Sequence, residues 1–554
     1  MSFDTEDYVH KLVSLAGGGW HETWLCISTA LLSAIFLIIL FSSLTEKWAS
    51  IPDSVFLFLC VLLLFVFRLP SLAYGESNPD ESEWLATAIT MQHGLYEYFR
   101  DFYVFDFSRS MTIFPLWIVS LLGISINYGL AKLVGMIYWI IFLVNYYYFV
   151  KDCFGKRTAL LASSILVAFL ATFSMPDYVA YNSETAAVSL ICVSLFFFNR
   201  SQRVSDRVST ILSFASGFFL MLAFFAKEQS LYIVACLSVI FCLNYFFQMK
   251  KQGVLYFSGG AICCCLLFAA PFFIFDKTLF FVDWAKQSLD YASLGLNFNH
   301  LKWYDRLDFR YLEESVYFYR FPAYFLISLL IIGNTKLSDW FKIRKNICAG
   351  LLIVGLYAAS FYTIISPSDF FPHYVLYLIL PTACVIALCI HLSEWINYQK
   401  AVSICATIFF LLIAKHGLDE LDFRFNPPQK NFGKSLLAQE ILKYSKPGES
   451  MIVWGWDCKL YVDTNLVRGS RYWANTFLSP IYPPDFRMNN AANYEQDFRD
   501  HKPDIVVEIL EGGPVRYMRP QLVDYPAIHK ILDEKYTLVY SAPANRIYKR
   551  STFE

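Results

Sequence analysis

Charge is what this sequence has least of. Asp, Glu, Lys and Arg make up 16% of its 554 residues, where ordinary soluble domains carry about 25%. Hydrophobic residues reach 56% and aromatic residues 18%, a balance that excludes an ordinary water-soluble enzyme. No sign of charge is in surplus either: the formal net charge is −1, which leaves no basic face for a nucleic acid. Cysteine is present, with 14 residues, but it does not form a framework. Most cysteines lie inside apolar segments, among them Cys263, Cys264 and Cys265, and Cys458 has no local partner in the long C-terminal region. CxxC pairs and histidines at zinc-ligand spacing are missing, as are internal repeats and low-complexity tracts. The first 23 residues are polar and acidic, with no basic stretch leading into a short apolar one, so no cleaved signal peptide is expected.

What is there, repeatedly, is apolar sequence of near-spanning length. Twelve such segments fall at roughly 24–44, 54–74, 127–150, 158–175, 184–198, 208–226, 230–248, 254–275, 316–333, 347–366, 373–391 and 401–415. Basic residues collect in alternate loops: Lys151, Lys156 and Arg157; Arg200, Arg203 and Arg207; Lys250 and Lys251; Lys342, Arg344 and Lys345. The positive-inside rule makes those loops cytoplasmic. The opposite face then holds 75–112, 176–183, 276–315, 367–372 and everything after 416. On that topology 113–125 is a helix lying at the interface, and the N-terminus is outside if both early segments cross. The expected fold class is a polytopic α-helical membrane protein of 11–12 spans over 1–415, followed by a small C-terminal α/β domain over 416–554. In the latter a helix near 434–444 precedes the β-like runs MIVW, DIVVEI, TLVY and RIYK.

The expected outer face carries the polar residues with chemical potential. SNPDESEWLATAIT brings Asp80, Glu81 and Glu83 together just after a span. Behind Asn78-Pro79 these acids suit a helix start, where carboxylates favour the positive end of the helix dipole. That reading accounts for them without any function. A carboxylate held at the interface can also accept a proton from an incoming hydroxyl or amine, or bind a cation such as magnesium or manganese. MPDYVAYNSET adds Asp177 and Glu184, FFAKEQSLY adds Lys227 and Glu228 at a tight turn, and SPSDFFPHYVLYLILP adds Asp369, His373 and Tyr374. In 276–315, Arg306 and Arg310 can pair with phosphate. Taken singly, Lys227 with Glu228 reads as a snorkelling pair, His373 as an interfacial histidine, and the two arginines as surface residues. Together they place acids on the first outer loop and cations on later loops of the same face.

NPDESEWLA resembles the first outer loop of integral-membrane glycosyltransferases of the GT-C class, whose motif is an acidic pair just after a span. The run from Phe114 through the FGKR turn resembles their next part: an interfacial helix starting at Pro115, a span, then a basic turn. LAFFAKEQSLYIV is similar to their Lys-Glu turn, and FPHYVLYLILP to their His/Arg-Tyr motif closing on a proline. The resemblance covers 75–390 and suits the bacterial protein-mannosyltransferase-like branch (glycosyltransferase family 39) most closely. It implies inverting transfer of a sugar from a polyprenyl-phosphate carrier to a glycan, lipid or protein acceptor, on the face away from the cytoplasm. By that similarity Asp80 is the base that activates the acceptor, and Glu81 orients Asp80 or the acceptor. Lys227, His373 and Tyr374, with Arg306 and Arg310, hold the donor phosphate. Glu83, Asp177, Glu184 and Glu228 follow as acids of second rank. Two features depart from the pattern: two apolar segments precede the acidic loop where one is common, and His373 stands where Arg is commoner.

The C-terminal segment MIVWGWDCKLYVDTNLVRGSRYWAN resembles outer domains appended to such enzymes, with acceptor recognition as the role implied. Trp454, Trp456, Tyr461 and Trp473 can stack on sugar faces, or simply pack the domain core or rest on the bilayer interface. A transporter or flippase of lipid-linked glycans is the alternative from another class, with the same carboxylates and lysine as coupling groups. Inverted repeats with broken helices near the midplane, common in transporters, are not evident. A ligase or polymerase of lipid-linked glycans would use a similar face, and a structural scaffold would need no such arrangement. The one Asn-x-Ser/Thr site, Asn199-Arg200-Ser201, falls on a basic loop, so the expected location is a bacterial inner membrane, with the site facing the periplasm.

Overall fold

The computed structural model describes residues 21–44, 51–173, 175–248, 250–277, 282, 316–332, 344–367, 371–395, 399–419, 434–479, 484–511 and 521–551. Every one of the twelve predicted apolar segments lies on a helix, from His21–Leu44 to Gln399–Asp419. Among the described residues six helices are long and apolar enough to cross a membrane: Asp53–Ala73, Tyr128–Phe154, Arg207–Phe224, Glu228–Phe247, Lys251–Ile274 and Pro372–Trp395. The chain is a polytopic α-helical membrane protein. Helix Ser110–Ser120 corresponds to the interfacial helix expected over 113–125. Most of 276–315, with Arg306 and Arg310, lies outside the described residues, as do Lys342 and Asp369.

Helices in lipid gain little from hiding apolar surface, so close backbone approach and polar ties carry more of the packing. Asp206–Phe224 and Lys251–Ile274 cross at two glycines. A Cβ on Gly217 would stand 1.9 Å from the Phe257 carbonyl oxygen, and one on Gly260 2.0 Å from that of Phe214. At the basic end Asp53 accepts from Tyr147 (2.9 Å) and pairs with Lys156 (3.3 Å) and Lys151. Arg200 pairs with Asp152 at 2.9 Å, Arg157 with Glu394 at 3.5 Å, and Lys250 Nζ donates to the Ser201 carbonyl at 3.3 Å. Three of the four basic loops that the sequence assigns to one face, those of Lys151–Arg157, Arg200–Arg207 and Lys250–Lys251, therefore meet at one end of the bundle.

The C-terminal region holds a five-stranded sheet: β1 (Ser450–Trp454), β2 (Val467–Arg468), β3 (Ile505–Ile509), β4 (Tyr536–Ala542) and β5 (Asn545–Arg550). Its order is β2-β1-β3-β5-β4. β1 runs parallel to β2 and β3, and β5 antiparallel to β3 and β4. The predicted helix is present as Leu436–Tyr444, and the four predicted β-like runs correspond to β1, β3, β4 and β5. Three helices were not foreseen: Lys459–Thr464, Pro484–Asp500 and Pro526–Lys535. The second hides its signature because two of the residues it buries are polar. Asn490 accepts from Tyr472 (2.8 Å), and Asp497 accepts from Ser470 (2.8 Å) and Arg471 (2.9 Å).

This domain is docked on the end of the bundle away from the basic loops. Ala86, on helix Pro79–His93, belongs to the same apolar cluster as Met451, Val453, Tyr461 and Trp473. Arg468 of β2 pairs with Asp106 at 2.7 Å, both side chains wholly buried, and its backbone N–H donates to Thr90 Oγ1 at 3.2 Å. Gly260→Val should break the glycine-on-backbone crossing. A β-branched side chain driven into a carbonyl is expected to cost about 1–3 kcal/mol or more, read as a lowered melting temperature in detergent, whereas Gly259→Val, whose Cβ meets nothing within 4 Å, should change it little.

Candidate functional site at the outer end of the bundle

Helix Pro79–His93 begins with Asn78 as its cap, the Asn78 side chain accepting from Asp80 N at 2.9 Å, and with proline in the first turn. Successive helical residues are rotated by about 100°, so the three acids diverge. Asp80 faces the bundle, its Oδ2 3.7 Å from His373 Nε2. Glu81 turns inward and is wholly buried. Its carboxylate accepts from Ser77 N and Tyr181 N, both at 2.8 Å, and pairs with buried Lys132 at 3.3 Å. Glu83 points to the C-terminal domain and accepts from Trp456 Nε1 at 3.2 Å. As a result the triplet does not form a cation-binding set, and no cluster of three or more His, Cys, Asp or Glu suited to a metal occurs among the described residues.

His373, on the 3-10 segment Pro372–Leu378 that opens a late span, is the centre on which the acids converge. Its Nδ1 lies 3.6 Å from Asp177 Oδ1 and 3.2 Å from Asn78 Nδ2, and its Nε2 lies 4.0 Å from Glu184 Oε1. Asn78 also donates to Asp177 at 2.5 Å. Glu184 in turn pairs with Lys227 at 3.3 Å, and the Lys227 ammonium lies 5.6 Å from the centre of the Tyr374 ring. Burial works against the charge of Lys227, but Glu184 and then Asp80 outweigh it and hold its pKa above the ordinary lysine value. Five of the expected residues thus form one cluster with Asp80: Asp177, Glu184, Lys227, His373 and Tyr374.

The turn carrying Lys227 is pinned to the first outer loop. Met111 N donates to Phe225 O at 2.8 Å, Thr112 Oγ1 to Ala226 O at 2.9 Å, and Ser108 to Glu228. The last contact occupies Glu228 as a tie between loops. Arg68, buried at the start of the loop, donates to the Leu170 and Tyr178 carbonyls at 2.7–2.9 Å and steadies the segment bearing Asp177. Sequence reasoning missed Arg68, Lys132 and Arg109. Arg109 stands over the rings of Trp473 (4.8 Å), Trp84 (5.5 Å) and Phe105 (5.9 Å). Among the described residues no carboxylate is within 4 Å of it. A lone basic residue in a polar loop carries no sequence signal of this kind, because two of the rings that frame it are remote in sequence. Of the four C-terminal aromatics, Trp454 and Tyr461 are core residues, Trp473 is buried at the domain contact, and Trp456 is half-buried on Glu83.

An apolar cavity of about 720 Å³ lies between helices Val316–Ile332, Arg344–Ile365 and Ile379–Trp395. Thr382, Val385, Leu388 and Leu392 line it along one face of the helix that continues from His373 and Tyr374.

No family model matches the sequence, and no curated relative is similar to it. Solved structures are. ArnT from Cupriavidus metallidurans bound to undecaprenyl phosphate superposes with a TM-score of 0.51 at 12% identity, over 90% of this chain and 99% of that one. Its apo form gives 0.52 at 11% identity, over 89% and 98%. The Archaeoglobus fulgidus oligosaccharyltransferase, with zinc and sulfate, gives 0.44 at 11% identity, too low to carry a fold assignment. ArnT is a glycosyltransferase of the GT-C class. The fold here is the GT-C fold. The match spans bundle and C-terminal domain alike, so the docked domain is part of that architecture.

Glu81 and Lys132 sit at the base of this site as a buried pair. Lys132→Ala should leave the Glu81 charge uncompensated and cost about 3–5 kcal/mol, seen as a lowered melting temperature in detergent. The double variant Glu81→Gln/Lys132→Met should recover most of it.

Proposed function

We propose that the protein is an inverting glycosyltransferase that moves a sugar from a polyprenyl-phosphate-linked donor to a glycan, lipid or protein acceptor. The observation that carries this reading is the meeting, within one cluster, of a partly exposed carboxylate with cations and donors. Asp80 is 19% exposed, whereas Lys227 is 13% and His373 4% exposed. The chemistry needs one base and a stabilised leaving group, with no covalent intermediate. An acceptor hydroxyl approaching Asp80 gives up its proton to that carboxylate, and its oxygen forms the new bond to the anomeric carbon. The bond from that carbon to the phosphate oxygen breaks on the opposite side, and its electron pair leaves with the phosphate. Lys227, with Tyr374 beside it, is the group to meet the growing phosphate charge, and Arg109, with no carboxylate within 4 Å among the described residues, is a further candidate for that set.

His373 joins the two halves through its Nε2, which lies 3.7 Å from Asp80 and 4.0 Å from Glu184, the partner of Lys227. Glu81 acts behind Asp80 as an anchor of the loop, since both its oxygens are engaged. Arg306 and Arg310, outside the described residues, stay candidates for the donor phosphate. A lipid-borne donor fits the apolar cavity running down the helix that starts at His373, and ArnT of the same fold was solved with undecaprenyl phosphate. The basic loops at the far end support a cytoplasmic assignment for that end, and hence an extracytoplasmic site in an inner membrane.

Asp80→Asn, which keeps shape and removes the base, should lower transfer from polyprenyl-phosphate sugars by about 10²–10⁴-fold in reconstituted vesicles. Its elution on size exclusion should match wild type. Full activity in that variant would remove Asp80 from the role.

A further inference from the structure

Glu83 is the one acid of the opening triplet that the mechanism above does not use. It lies one turn after Asp80 on helix Pro79–His93, it is buried at 7% exposure, and its hydrogen-bond donor comes from the other domain. Trp456 reaches it from the end of β1 because Gly455, at φ +150, lets the chain turn where a Cβ would strike Ile509 at 2.6 Å. The groups facing Glu83 are Asp80 on its own helix, Arg109 on the loop, Lys227 on the turn, and Trp456 and Cys458 on the C-terminal domain. Trp84 and Trp473, edge to face at 6.1 Å, close the same junction beside Arg109.

We propose that the Glu83 carboxyl is a positioning group for Asp80 that works only while the C-terminal domain is docked, Trp456 closing over it and holding it out of water one helical turn from the base. The inference rests on the reading of Asp80 as that base. A carboxylate put beside another in a dry site cannot readily ionise as well. Burial first, and then the charge of Asp80, push the Glu83 carboxyl up to about 8, against the opposing pull of Arg109, Trp456 and Lys227. Glu83 therefore holds its proton more firmly than an exposed carboxyl does, as a hydrogen-bonding strut one turn from the residue that faces His373. Undocking exposes Glu83 to water, where a carboxyl titrates near 4.5. The docked state holds a proton that the undocked state releases between these limits, so rising pH favours undocking. The C-terminal domain then acts on the reaction through charge as well as through any contact with the acceptor.

The test is a pH profile of transfer in reconstituted vesicles, with a hydrophobic carbodiimide used in parallel to label protonated buried carboxyls, read at Glu83 by mass spectrometry. Wild type should lose activity by about tenfold per pH unit above roughly 8, and the labelling of Glu83 should fall over the same range. Glu83→Gln, which copies the neutral form, should lose that alkaline limb whatever its turnover at neutral pH. Trp456→Ala removes a donor that favours the charged form, but also the cover that keeps water out, and burial is the larger of the two causes; it should therefore move both limb and labelling midpoint to lower pH, and adding Glu83→Gln should cancel the shift of the limb. A residue that merely filled space would change amplitude and leave the profile in place. An alkaline limb that survives Glu83→Gln, or a labelling midpoint unmoved by Trp456→Ala, overturns the proposal. Glu76, also pushed up mainly by burial, is a second buried carboxyl on which the labelling chemistry is checked. Absence of transfer at every pH overturns the functional reading and the proposal with it, whereas transfer with an unmoved midpoint overturns the proposal alone.

Discussion

Charge beside lipid is costly unless it is balanced, and the end of the bundle away from the basic loops is organised around that constraint. Lys227 is almost dry, and Glu184 at 3.3 Å compensates it. Glu184 also lies 4.0 Å from His373, which brings in Asp80 and Asp177 from two further segments. Lys132 does the same for Glu81, and Arg468 for Asp106. Such pairs add little net stability over well-packed apolar residues, but losing one partner is severe. Their consequence is positional: each fixes one loop against another, so that segments far apart in sequence present a single polar cluster at the bundle's mouth. Arg109 differs, a cation framed by aromatic rings with no carboxylate within 4 Å among the described residues, acting on Glu83 and Asp106 from farther off.

The C-terminal domain belongs to this organisation. Its strands supply Arg468 and, with Met451 and Val453 of β1, part of the apolar cluster that takes in Ala86, and the turn after β1 supplies Trp456. A domain attached only by a linker could recognise an acceptor and no more. One that closes over helix Pro79–His93 also sets the dielectric around the loop's acids. This gives a physical reason for the match to ArnT to extend over 90% of the chain rather than over the bundle alone.

Much of the fold was legible because its signals are local. Apolar runs of spanning length gave helices at all twelve expected places, and alternating basic loops gave faces whose members do meet, as with Lys151, Lys156 and Asp53. Asp80, Asp177, Glu184, Lys227, His373 and Tyr374 were picked out because charge at an apolar boundary is conspicuous. What was not legible is direction and long-range partnership. Asp80, Glu81 and Glu83 read as one cluster, yet helical rotation sends them to His373, Lys132 and Trp456. Lys132 sits inside an apolar run with no sign that a glutamate awaits it. Helix Pro484–Asp500 was hidden by buried Asn490 and Asp497, whose partners lie on another segment. Strand β2, two residues long, has no pattern to read.

The most direct test of the central claim is an experimental structure with a polyprenyl phosphate bound. The account predicts that the phosphate lies within hydrogen-bond reach of Lys227, with Tyr374 or Arg109 beside it, and that the chain runs into the apolar cavity along Thr382, Val385 and Leu388. Asp80 should then stand across the sugar position from the phosphate. A phosphate bound at the basic end, beside Lys151 and Lys156, would contradict it.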